Sequence, residues 1–129
     1  MEKNHKKIAI IEDDTNMREA LGRRFPTEGF IVYTASDGPS GLALVLREEP
    51  DIILLDIMMP GFDGMVLIKN LRQKNDWGKH VPIILLTSLS ADDSIMHCVT
   101  EYEPAYYLIK DDFSIDDVVE KVKERLERV

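Results

Sequence analysis

Three kinds of functional group stand directly behind four apolar runs in this chain. Glu12 and Asp13 follow "IAII", Asp56 follows "IILL", Thr87 and Ser88 follow a second "IILL", and Lys110 follows "YYLI". Asp56 is the sharpest case. Four apolar residues precede it, no basic residue lies near it in sequence, and a carboxylate is among the groups least willing to be buried unpaired.

If those runs are neighbouring strands, one pocket holds three acids, a hydroxyl and an amine. Carboxylates about 4 Å apart repel by roughly 1 kcal/mol in water and about 4 kcal/mol at an effective dielectric near 20. Either some are protonated or a cation sits among them. Hard oxygen donors without Cys or His point to Mg2+, which takes one or two carboxylates together with water and phosphate oxygens. A carboxylate can also accept a phosphoryl group as an acyl phosphate. That transfer needs mainly positioning and charge stabilisation, within reach of a metal, an amine and a hydroxyl. Singly, the residues have plainer explanations. Asp13 or Asp14 could simply cap a helix, the Thr87 hydroxyl could bond to backbone, and Lys110 could be a solvated head. Their coincidence at four strand ends is the signal.

The elements that must position these groups recur as one phrase, a short apolar run, a polar turn and a helical pattern. "KKIAIIE" (6–12), "FIVYTA" (30–35), "DIILLD" (51–56), "VPIILLTS" (81–88) and "AYYLIK" (105–110) are brief, rich in branched or aromatic residues and bounded by turn residues, as strands are. Between them, Met17, Ala20, Leu21 and Phe25 share a helical face, as do Leu42, Val45 and Leu46, and Val66, Leu67 and Leu71. "SADDSIMHCVTEY" (90–102) gives a less regular fourth helix. In the last helix, Ser114 and Asp117 form a capping-box-like start, and Ile115, Val118, Val119, Val122, Leu126 and Val129 make one stripe. "DGPSG", "PGFDG" and "DWGKHVP" carry turn or loop signals, which puts Trp77 in a loop after the third helix. Strands alternating with helices, and apolar on both faces, predict a five-stranded parallel sheet, doubly wound as (βα)5. Such sheets bind ligands beyond the carboxyl ends of their strands.

The 129 residues fit one domain with a core of its own. With 44% hydrophobic and 31% charged residues the chain is globular in composition. Its formal net charge of −8 disfavours direct nucleic-acid binding. The apolar run near the start is too short for a signal peptide or membrane span, and Cys98 is the single cysteine. These features lead us to expect a cytoplasmic protein in a reducing compartment. His5, His80 and His97 show no metal-ligand spacing, and the six methionines read as packing residues.

Taken together, "IAIIEDD", "GFIVYTASDG", "PDIILLDIMMPGFDG", "VPIILLTS" and "YYLIK" resemble the receiver domain of two-component response regulators over essentially the whole chain. The resemblance implies the flavodoxin-like strand order 2-1-3-4-5 and a single receiver domain over 1–129 without an output domain. It implies a phosphorylation-dependent switch rather than an enzyme in the ordinary sense. Asp56 would accept a phosphoryl group from a phosphohistidine on a sensor histidine kinase or phosphotransfer protein. Glu12, Asp13, Asp56 and the backbone carbonyl of Met58 would hold Mg2+. Lys110 would pair with the phosphoryl group, Thr87 would move toward it, and Tyr107 would be the aromatic switch. Pro60 and Gly64 match the turn after the acceptor. The readout, to a downstream effector or output domain or through a phosphorylation-dependent homodimer, would use the face of the fourth helix, fifth strand and fifth helix.

Four departures from the family pattern stand out. Glu12 replaces the commoner Asp, which suits a group reaching the metal through water. Glu103-Pro104 stands where Gly-Ala is frequent, and Tyr106 adjoins Tyr107. "KDDF" replaces Lys-Pro-Phe with its cis bond; because a cis bond before a residue other than proline costs about 3 kcal/mol, a trans Lys110–Asp111 bond or a rearranged loop is expected. The alternatives fit less well. A degenerate receiver, acting as a phosphorylation-independent binding module, conflicts with the intact set Glu12, Asp13, Asp56, Thr87 and Lys110. A haloacid-dehalogenase-type phosphatase needs a second Asp where Met58 stands. A flavodoxin-like cofactor binder needs an acid-free loop where "EDDTN" stands.

Overall fold

The computed structural model describes residues 5–59, 61–87, 106–109 and 113–127. Along the chain these form β1 (Lys7–Ile11), α1 (Thr15–Thr27), β2 (Ile31–Ala35), α2 (Gly38–Glu48), β3 (Ile52–Asp56), β4 (Met58–Met59), β5 (Phe62–Asp63), α3 (Gly64–Lys74), α4 (Asp76–His80), β6 (Ile83–Thr87), β7 (Tyr106–Ile109) and α5 (Ile115–Glu127). The segment 90–102 expected as the fourth helix lies outside the described residues, as do Ser88, Pro60, Glu103-Pro104, Lys110, the Lys110–Asp111 bond and Val129.

Five strands make one sheet in the order β2-β1-β3-β6-β7, and every pairing is parallel. Counting only these five, the order is the expected 2-1-3-4-5. Successive residues of a strand point to opposite faces, and both faces are dry. Ala9, Ile11, Ile53, Leu55, Ile83 and Leu85 pack under α2 and α3, through Leu44, Val45, Leu67, Ile68 and Leu71. Ile8, Ile10, Ile52, Leu54, Ile84 and Leu86 pack under α1 and α5, through Leu21, Phe25, Val118, Val119 and Val122. This two-sided cover is why the strands carry unbroken apolar runs. Burying each large side chain of β3 contributes about 1.5–3 kcal/mol, so the strand that ends in Asp56 is held rigidly.

The helix starts follow from local chemistry. Asp14 caps α1, its carboxylate accepting from the Met17 amide at 3.2 Å. Ser114 and Asp117 exchange reciprocal bonds of 2.8 and 3.2 Å, completing the capping box ahead of α5.

Three local expectations need correction. "DGPSG" opens α2 instead of forming a free turn, because Asp37 caps it through the Ser40 amide at 2.7 Å and Pro39 suits a first helical turn. "DWGKH" is the short helix α4, so Trp77 is helical. Asn75 caps it through the Gly78 amide at 2.7 Å, and Arg72 ties the Gly78 and Val81 carbonyls at 2.9 and 2.8 Å. Only glycine fits at 78, since a Cβ there would lie 2.0 Å from the Leu71 carbonyl oxygen. Val66 is 49% exposed, and Ile68 takes the place inside. The 64, 67, 68, 71 face of α3 excludes position 66.

An ion-pair cluster clamps α1 to α5. Arg24 reaches Glu28 at 3.0 Å and Asp116 at 2.7 Å, and Lys123 donates to Glu28. The Lys123 ammonium and then the Arg24 guanidinium hold the Glu28 carboxyl below its ordinary value of 4.5. A depressed carboxyl stabilises the fold above its unfolded pKa, and that contribution is lost as pH falls through the folded value. Glu28→Gln is therefore expected to lower the urea midpoint at pH 7 and to lose less than the wild type between pH 7 and pH 3. Identical pH dependence in both proteins would remove the clamp from the stability account.

Candidate functional site

The parallel register brings the expected groups to one end of the sheet. Ile11 pairs with Leu55, Asp56 with Leu86, and Thr87 with Ile109. Two hydrogen bonds extend the ladders a residue further, from the Glu12 amide to the Ala35 carbonyl at 3.0 Å and from the Ile57 amide to the Leu86 carbonyl at 3.2 Å. Glu12, Asp56 and Thr87 thus leave the sheet together. They are also the buried polar or charged residues among those described, at 0%, 2% and 0% exposure. A dry sheet that admits polar side chains at this one end has a reason to spend burial there.

The carboxylates converge. One oxygen from each of Glu12, Asp13 and Asp56 lies within 4.8 Å of the other two. Capping duty falls to Asp14, so Asp13 is left exposed beside the buried pair and available as a ligand. The Asp14 amide donates to the Glu12 carboxylate at 3.1 Å, fixing how that side chain lies. A hard divalent cation matches this set, since every donor is an anionic oxygen and the cluster mixes closed and open sides. The acidic cluster can hold a metal ion.

Behind Asp56 the chain folds into a two-residue antiparallel ribbon, β4 against β5, with Met58 opposite Asp63 and Met59 opposite Phe62. Met58, expected to lend its carbonyl, has its backbone in β4, two residues beyond the acid. The ribbon is anchored at both ends. Asp63 caps α3 through the Met65 amide at 2.9 Å, and the Gly64 amide donates to the Ile57 carbonyl at 3.3 Å. Gly64 is there because a Cβ would lie 2.6 Å from the Ile57 Cα. Phe62 lies over Gly38 at the start of α2, where a Cβ would collide with its ring at 2.0 Å.

Of the other expected residues, Thr87 ends β6 as read, whereas Lys110 and the Tyr107 side chain lie outside the described residues. Tyr106 is engaged with α5, its hydroxyl donating to Glu124 at 2.9 Å while the Lys121 ammonium sits 4.9 Å from its ring centre. One residue escaped the sequence reading. Arg18 donates from one guanidinium nitrogen to the Glu12 carbonyl at 2.9 Å and the Asp13 carbonyl at 3.3 Å. Its spacing held a clue. Helical side chains lean toward the N-terminus, so a long donor one turn into α1 returns over the acidic loop.

Comparison with known proteins agrees with this geometry. The family model described as the response regulator receiver domain matches residues 8–123. The receiver domain of Klebsiella pneumoniae RstA, solved as its BeF3-activated N-terminal domain, is 30% identical, with 95% of this chain and 99% of that one covered at a TM-score of 0.80. A CheY-like receiver domain protein from Methanospirillum hungatei is 25% identical, with 96% and 95% covered at 0.85. Chemotaxis response regulator CheY4 of Vibrio cholerae, at 22% identity, shares the fold with 94% and 98% covered at 0.83. The chain belongs to the response regulator receiver domain family, and with it to two-component signalling, in which receiver domains meet histidine kinases and output domains. No helix among the described residues is long and apolar enough to cross a membrane.

Gly64→Ala tests the loop geometry. It is expected to cost about 1–3 kcal/mol, as overpacking does, and to move the amide resonances of Asp56 and Ile57. A variant within about 0.5 kcal/mol of wild type with both resonances unmoved would show that the close approach is not a constraint.

Proposed function

We propose that this protein is a phosphoacceptor switch in which Asp56 carries the phosphoryl group. The observation that supports this reading is the burial of Asp56 at the end of the central strand, with the Glu12 and Asp13 carboxylates converging on it and Thr87 ending the next strand. An Asp56 oxygen attacks the phosphorus of a phosphohistidine on a sensor histidine kinase or phosphotransfer protein. The P–N bond breaks, an acyl O–P bond forms, and the departing imidazole keeps its electron pair and takes up a proton from solvent. The rigid β3 rod aims the carboxylate, which supplies much of what such a transfer requires.

A Mg2+ held by Asp13, Asp56, the Met58 carbonyl and, through water, Glu12 would offset the charge on the transferred oxygens. Thr87 donates its hydroxyl to a phosphoryl oxygen once one is present. Lys110, next after Ile109 at the end of β7, adds an ammonium to the same group. By the family resemblance Tyr107 would then act as the switch, and the face that includes β7 and α5 would present the phosphorylated state to an effector, an output domain or a second copy of the chain. In this account the protein works inside the cytoplasm as a signalling module and has no other substrate to turn over.

Incubation with acetyl phosphate and Mg2+ is expected to add one phosphoryl group by intact mass, and removal of Mg2+ with EDTA to abolish it. Asp56→Asn is expected to lose the adduct, and Thr87→Ala to slow its formation about 10-fold or more, as loss of one charge-stabilising donor does. Normal labelling of Asp56→Asn would refute the acceptor assignment.

A further inference from the structure

The acidic loop between β1 and α1 has to keep two carboxylates turned toward a third against their repulsion. Part of the restraint comes from the neighbouring strand and from within the loop, where the Glu12 amide is tied to Ala35 at the end of β2 and the Asp14 amide to the Glu12 carboxylate. The rest comes from Arg18. It is half-buried, its own amide bonds to the Asp14 carbonyl at 2.9 Å as part of α1, and its guanidinium returns to the carbonyls of Glu12 and Asp13. One planar group therefore fixes two consecutive peptide units, the pair that carries two of the three acids.

We propose that Arg18 is a positioning residue for cation binding, acting on the main chain of the loop. The inference rests on the reading of Glu12, Asp13 and Asp56 as a cation site. It makes a prediction opposite in sign to simple electrostatics. A guanidinium close to a cation site opposes the cation, so removing its charge by itself tightens binding. If its hydrogen bonds hold the loop, removing it weakens binding, because the loop must then be ordered at the cost of the binding free energy. Both bonds leave one guanidinium nitrogen, and lysine ends one atom sooner, so it keeps the charge while its ammonium falls short of the two carbonyls.

The test is Mg2+ titration of the intact chain, followed by amide resonances and calorimetry, for wild type, Arg18→Ala, Arg18→Lys and Arg23→Ala. Arg23 lies on the same helix, 79% exposed and paired with Glu19, and controls for loss of a charge from α1. Mg2+ affinity is expected to fall about 10-fold in Arg18→Ala, to fall by less in Arg18→Lys, and to hold or rise slightly in Arg23→Ala. Without any cation, hydrogen exchange at the Asp13 and Asp14 amides is expected to quicken in Arg18→Ala while exchange across β3 stays slow. Unchanged or tighter Mg2+ binding in Arg18→Ala would overturn the inference. Weaker binding accompanied by faster exchange throughout β3 would overturn it too, by showing general destabilisation. The underlying site is checked separately with Asp13→Asn. If the wild type binds no Mg2+, or Asp13→Asn binds it as well as wild type, the cation-site reading fails first.

Discussion

Three carboxylates within 4.8 Å of one another, two of them buried, set the terms for the whole end of this sheet. Ionised carboxylates about 4 Å apart repel by about 4 kcal/mol at an effective dielectric near 20, unless a proton or a cation offsets their charge. Holding such a group together requires a backbone that cannot relax away from it. The dry core supplies that backbone, since β1, β3 and β6 are clad on both faces and end in register. A cation or a change of charge on Asp56 alters the balance of such a cluster at once.

The remaining features of the loops are best understood as restraints on that balance. Asp14 takes the cap of α1, which keeps Asp13 out of helix duty. Asp63 takes the cap of α3, and the β4–β5 ribbon with its Gly64–Ile57 contact closes the chain behind Asp56. The ribbon also reaches α2 through Phe62 on Gly38, so any movement after Asp56 meets a second helix. The opposite end of the molecule is fastened by different means. There the Trp77 indole donates to the Pro50 carbonyl at 2.9 Å, and Arg72 gathers the carbonyls of Gly78 in α4 and Val81 just after it.

Much of this was legible in the residues because parallel strands buried on both faces write themselves as unbroken apolar runs. The five strands and the placement of Glu12, Asp56 and Thr87 at their ends follow from such runs and from where they stop, whereas the strand order came from the family resemblance. Capping chemistry was equally readable in Ser114 and Asp117, where side chain and partner sit three residues apart. What did not show was decided by contacts distant in sequence or by competing local signals. "DWGKH" looks like a turn by composition, yet Asn75 and Arg72 supply enough hydrogen-bond partners for a helical turn. Val66 satisfies a helical period as well as Ile68 does, and only the direction of α3 over the sheet selects between them. Arg18 left only the clue of its spacing, for a further reason. Its partners are main-chain carbonyls, which leave no mark on residue identity.

The central claim is that Asp56, in a cluster with Glu12 and Asp13, is the group whose change of charge the rest of the molecule reads. Amide resonances recorded with Mg2+ and beryllofluoride, a mimic of the phosphoryl group, test it most directly. The account predicts saturable shifts at Asp13, Asp56, Ile57 and Thr87, extending into β7 and α5, that require both Mg2+ and the mimic and vanish in Asp56→Asn. Spectra unchanged around Asp56, or changing equally in Asp56→Asn, would contradict it.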